Sequence, residues 1–105
     1  SLCSRKSAVM GAAPRESLRV TQGQELVSKY QWNTQEAEHF FCKICGIYTH
    51  HQRRSNPQEY GVNVACLTGI SPFDFAEVPV VDGVAHPTDT GGPSRVIGTL
   101  RFAAT

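Results

Sequence analysis

The chain has 105 residues, 40% hydrophobic and 18% charged, which fits one small globular domain with modest capacity for burial. Ten Lys and Arg against nine Asp and Glu leave a formal charge of +1, so no basic face is on offer to a phosphate backbone and no strong field steers charged partners. No apolar run approaches the roughly 18 to 20 residues that span a bilayer, and the first residues lack the apolar core of a secretory signal, so a soluble, cytoplasmic protein without nucleic-acid or membrane partners is expected.

From the N-terminus, Ala8 to Ala13 is small and apolar enough for a buried strand that Pro14 ends, and Pro14 to Ser17 reads as a turn. Leu18 to Thr21 alternates in the strand period. Gly23 interrupts it, and Leu26 to Trp32 resumes with β-branched and aromatic residues before an Asn33-Thr34 turn. His39-Phe40-Phe41 enters, and Ile47 to His51 leaves, a hairpin whose tip is Cys42-Lys43-Ile44-Cys45-Gly46. Arg53 to Pro57 is a polar loop, and Tyr60 to Leu67 another strand. Residues 71–92, rich in Pro, Asp and Gly, suggest an irregular but packed connection, and Arg95 to Phe102 closes as a final strand. The pattern is that of a mainly β antiparallel meander, one domain over residues 1–105.

Chemistry concentrates at the hairpin tip. A CxxC followed at once by Gly has the shape of a zinc knuckle: Cys42 and Cys45 hold half of a tetrahedral site, and Gly46 allows the positive φ that turns local amides back toward the sulfurs. The alternatives are two buried thiols or a redox pair. Flanking strands argue against the redox pair, which needs a helix N-terminus to lower its thiol pKa. Two further ligands are required. Cys3 is a third ligand, a ligand of a second metal, or a free thiol, whereas Cys66, among Val64, Ala65 and Leu67, reads as core. A close pair plus two isolated cysteines is a poor disulfide framework.

Of His50 and His51, neighbours on one strand, at most one shares the metal hairpin's inner face; each is a ligand, an acid-base group or a hydrogen-bonded structural histidine. His39 reads as structural. His86, before Pro87, lies in a loop where polar residues often face a pocket, and Arg5-Lys6 and Arg53-Arg54 are solvated or hold a substrate carboxylate.

Ser1 to Lys6, Phe41 to His50, Gly61 to Leu67 and Asp82 to Pro87, in this order and spacing, together resemble the glutathione-dependent formaldehyde-activating family, relatives of centromere protein V. The resemblance implies a small β domain of the Mss4-like kind with two zincs. A structural zinc is then held by an early CxC pair together with Cys42 and Cys45. A catalytic zinc is held by a CxCxxC run whose last cysteine matches Cys3, with Ser1 and Leu2 as spacers. The missing ligands are expected upstream of Ser1, in an N-terminal part that this chain lacks. The implied activity is that of a zinc-dependent carbon-sulfur lyase: glutathione thiol adds reversibly to formaldehyde or a related aldehyde, giving S-hydroxymethylglutathione. Cys3 then serves as catalytic ligand and His50 or His86 as nearby polar contacts. The alternative is a non-catalytic zinc-stabilised binding module, since the same resemblance reaches proteins associated with chromatin and microtubules.

Overall fold

Strands form where β-branched and aromatic residues cluster, and the computed structural model, which describes residues 5–31, 37–53, 56–82 and 95–105, pairs five of them antiparallel in one sheet. These are β1 (Met10–Pro14), β2 (Val27–Tyr30), β3 (Glu38–Cys42), β4 (Tyr48–Gln52) and β5 (Glu59–Asn63), in the spatial order β1-β5-β4-β3-β2. The expected meander is present from β2 to β5, and β1 returns to lie beside β5. Pro14 is the last residue of β1, opposite Glu59, which the edge position of β1 tolerates. A separate antiparallel pair, β6 (Glu77–Val81) and β7 (Val96–Arg101), carries an Arg101–Glu77 ion pair at 3.0 Å.

Three expectations need correction. Leu18 to Thr21 forms no strand: Arg15–Ser17 is a short 3-10 turn closed by the Leu18 N–H on the Arg15 carbonyl, and four alternating residues without a partner strand stay irregular. The strand starting near Tyr60 stops at Asn63, because the Asn63 side chain accepts from the Ala65 N–H and caps a 3-10 turn over Val64–Cys66. Within residues 71–82 the chain forms a capped 3-10 turn at Pro72–Asp74 and then β6, a largely exposed strand whose register shifts between Val80 and Val81. Propensity alone did not reveal β6, since Pro79 sits at its centre. The Asn33-Thr34 turn lies outside the described residues.

One irregularity decides the face each side chain occupies. Along β3 and β4, Phe41 faces Tyr48 and Phe40 faces His50, so Thr49 is an extra residue and the register shifts at that point. Thr49 donates from its hydroxyl to the Phe40 carbonyl at 3.3 Å, which holds the bulge against the neighbouring strand. Residues directly opposite share a face of the sheet. The bulge therefore places Tyr48 on the face of His51, with His39, Phe41, Tyr30 and Gly61, although strict alternation would have put Tyr48 with His50. His50 falls on the other face, stacked on Phe40 with ring centroids 4.6 Å apart and edge-on to Tyr60 at 5.5 Å.

Burial is thin. Tyr48 and Val64 are 5% exposed and His50 9%, and among the described residues no large side chain is fully buried. Many apolar side chains stay exposed, including Ile97, Leu100 and Phe102 of the β6–β7 region. His39 and His51 stack with centroids 5.4 Å apart, and His51 stacks on Tyr48 at 6.0 Å. The His51 Nδ1 is buried without a hydrogen-bond partner. Burial first, then the nearby positive charge of His39, Arg53 and His50, pushes the His51 pKa down to about 4.

Opposite His51, Gly61 leaves no room for a side chain: a Cβ there would run into the imidazole ring, with Cε1 as its nearest atom. Replacing Gly61 with Ala is expected to lower the unfolding free energy by about 2 kcal/mol through overpacking, read from the urea midpoint. His51 generates a pH dependence of definite sign. An unfolded histidine titrates near 6.5 and folded His51 near 4, so between these values the unfolded chain binds more protons. Stability is full above about pH 6.5 and falls as the pH drops toward 4, by roughly 3 kcal/mol for this group. Burial lowers His39 and His50 in the same direction. NMR titration of the imidazole Cε1 protons, with urea unfolding at each pH, measures both effects.

Candidate active site at the hairpin tip

Between β3 and β4 the chain reverses through Lys43, Ile44 and Cys45. The Cys42 N–H donates to the Ile47 carbonyl at 2.9 Å and the Gly46 N–H to the Cys42 carbonyl at 2.8 Å. Gly46 adopts φ 77, a conformation a side chain would strain, as the CxxCG spacing predicts. The Lys43 N–H donates to the Leu26 carbonyl at 2.9 Å and ties the turn to the start of β2. The Cys45 N–H, then the Ile44 N–H, then the Cys45 thiol hydrogen-bond to the Cys42 sulfur and hold its pKa below the ordinary thiol value. Cys42 is half-buried and Cys45 exposed, both as free thiols.

Two open cavities flank this turn and share Lys6, Gly46 and Tyr48 as walls. One, of about 320 Å³, is completed by Ser7, Asn63 and apolar residues that include Val9, Ile47 and Pro72. Ser7, a non-glycine residue at φ 51, turns the chain between Lys6 and β1. The other, of about 290 Å³, is walled by Tyr30, His39 and Phe41 and is mostly apolar. Tyr48 stands between the two. Its hydroxyl lies 3.1 Å from the His39 Nδ1, and the Lys6 ammonium sits 5.8 Å from its ring centroid. The Asn63 amide donates to the Tyr48 backbone carbonyl at 2.7 Å, so the residue that caps the following 3-10 turn also fixes the start of β4.

The structure sorts the residues singled out from the sequence. Cys42 and Cys45 meet at the turn. Cys66 is not core as expected: its 3-10 turn leaves it exposed, with the thiol 3.6 Å from the Tyr48 carbonyl, and burial of the sulfur together with the charge of Cys45 raises its pKa. His50 accepts or donates at 2.9 Å with the Thr49 hydroxyl on the far face and lines neither cavity. Cys3 and His86 lie outside the described residues. Among the described residues no three His, Cys, Asp or Glu side chains gather to hold a metal. The sequence reading does not single out Tyr48, reads His39 as structural, and gives Lys6 as solvated or holding a substrate carboxylate. The spacing between Gly46 and His51 gives no sign of the bulge that brings these groups together.

The family model described as glutathione-dependent formaldehyde-activating enzyme matches residues 2–77, a span that contains the five-stranded sheet, the turn and both cavities and stops at the first residue of β6. A crystal structure of a Rhodobacter sphaeroides protein, a structural genomics target, is 55% identical to this chain. The match covers 70% of this chain and 68% of that one with a TM-score of 0.68. On both grounds the chain belongs to the glutathione-dependent formaldehyde-activating enzyme family.

Proposed function

We propose that this protein is a zinc-dependent carbon-sulfur lyase that adds the thiol of glutathione to formaldehyde or a related aldehyde. The observation that carries the zinc assignment is the Cys42–Cys45 turn, where two backbone N–H groups aim at one sulfur and favour its thiolate, the form that binds metal. Two exposed or half-exposed thiols two residues apart suit half of a structural site, and the remaining ligands come from outside the described residues. Cys3 serves a second, catalytic zinc. When bound with an open position, that zinc supplies Lewis-acid activation of sulfur or of the aldehyde oxygen.

Lys6 supports placing the reaction beside the turn. It stands three residues after Cys3 in the chain and lines both cavities, so a substrate in either one meets its ammonium. Glutathione carries two carboxylates, and the more polar cavity, with Lys6, Ser7 and Asn63, is the one suited to a charged peptide. The role of His86 is contact with substrate. His50, buried between Phe40 and Tyr60, acts from behind the sheet through the strand it anchors.

The zinc-loaded protein, mixed with formaldehyde and glutathione, is expected to form S-hydroxymethylglutathione faster than the spontaneous reaction, followed by NMR of the adduct methylene. Zinc uptake without any acceleration would favour a binding module. Cys42→Ser and Cys45→Ser are each expected to remove one equivalent of zinc and to lower the melting temperature, since structural zinc contributes folding free energy directly. Metal analysis of the purified variants decides this, and full zinc content in both would sink the assignment.

A further inference from the structure

The apolar cavity brings together groups that structural packing does not require to be hydrogen-bonded to one another. Its walls are Tyr30, Phe41 and the Tyr48 ring, and its polar atoms include the Tyr48 hydroxyl and the His39 imidazole, 3.1 Å apart. The Tyr48 ring is contacted by His51 and by Lys6, its hydroxyl by His39 and its backbone by Asn63, so the hydroxyl is fixed in place before any ligand arrives. Such preorganisation is what a group that stabilises developing charge requires.

We infer that this cavity seats the carbonyl substrate, that the Tyr48 hydroxyl donates to the carbonyl oxygen and protonates it, and that His39 resupplies Tyr48. The inference rests on the thiol-to-aldehyde reaction proposed above. Its proton balance closes through the pair and solvent. The proton released when the thiol ionises leaves through the open cavities to water, and His39 takes one up from water at Nδ1. As the carbon–sulfur bond forms, the C=O π pair moves onto oxygen, which takes the Tyr48 phenolic proton, and the His39 Nδ1 proton returns to the phenolate. Thiol and aldehyde are consumed, the hydroxyalkyl thioether is formed, and both side chains end as they began.

The surroundings fit each stage. Burial holds the His39 pKa down, so the ring rests neutral and, once protonated, gives its proton up readily. The Lys6 ammonium above the ring favours the transient phenolate. The apolar walls accept the carbon substituent of an aldehyde and turn its oxygen toward the few polar groups of the lining, Tyr48, His39 and Lys6.

The test uses the zinc-loaded protein with Tyr48→Phe, which keeps the ring and deletes the hydroxyl, with His39→Gln, and with the double variant. Tyr48→Phe is expected to lower kcat/KM for the aldehyde about 100-fold with zinc content and the KM for glutathione unchanged. His39→Gln is expected to lose about tenfold, and the double variant no more than Tyr48→Phe, because the two groups act as one unit. Wild-type kcat/KM in Tyr48→Phe overturns this inference alone. Absence of acceleration by the wild-type protein overturns the proposed function and this inference with it. If Tyr48→Phe loses zinc or folding, His39→Gln decides: unchanged kcat/KM overturns the inference, and a tenfold loss at constant zinc content supports it.

Discussion

A single inserted residue organises this molecule. Thr49 has no counterpart on β3, and its hydroxyl bond to the Phe40 carbonyl keeps the extra residue where it is. Without the bulge, a sheet with side chains alternating at every residue would carry Tyr48 to the face of His50 and leave the His39–His51 stack without its phenol. With it, Tyr48 crosses over, its hydroxyl reaches His39, and one face of a five-stranded sheet gains a phenol, two imidazoles and an overlying ammonium. The other face keeps Phe40, His50 and Tyr60 as ordinary packing. Bulges commonly re-aim a side chain next to a functional site, and here the re-aimed side chain is one of the three walls shared by both cavities.

The same arrangement explains why the sheet tolerates so much polar chemistry in so small a core. Tyr48, His50 and Val64 are the most buried side chains described, and two of the three carry polar atoms. A purely apolar core of this size would contribute little, and each buried polar atom must be satisfied or cost free energy. Tyr48 and His50 are bonded, to His39 and Thr49, whereas the His51 Nδ1 is not. The imidazole therefore stays neutral, stacked rather than hydrogen-bonded, in a slot that exists because Gly61 has no side chain. A sheet with so thin a core is one to which any further cross-link between its strands would add stability.

Much of this was legible in the amino acids. The β class, the hairpin around residues 42 to 45, the turn at Gly46 and the strands near residues 27, 38, 48 and 59 follow from local composition, because propensity, turn chemistry and spacing agree there. Cys66 was misread because Val64-Ala65-Cys66-Leu67 has a buried-strand composition, while Asn63, by capping the next residues with its side chain, outweighs it. Leu18 to Thr21 had the right alternation but no partner, and alternation without a partner is not a strand. Tyr48 and His39 were not recognised as a pair, since that depends on the register of two strands and the position of one bulge, neither of which any local pattern encodes.

Gly46 links the two halves of the site. Its φ of 77 lets the N–H return to the Cys42 carbonyl, which closes the turn that presents the two thiols, and the same residue forms a wall of both cavities. Any displacement of the turn, such as a change in the separation of the Cys42 and Cys45 sulfurs, therefore moves a wall of both cavities. Lys6 and Tyr48, the other two shared walls, are anchored independently, one on the segment before β1 and the other by Asn63 on β5. Three elements distant in sequence thus converge on one boundary.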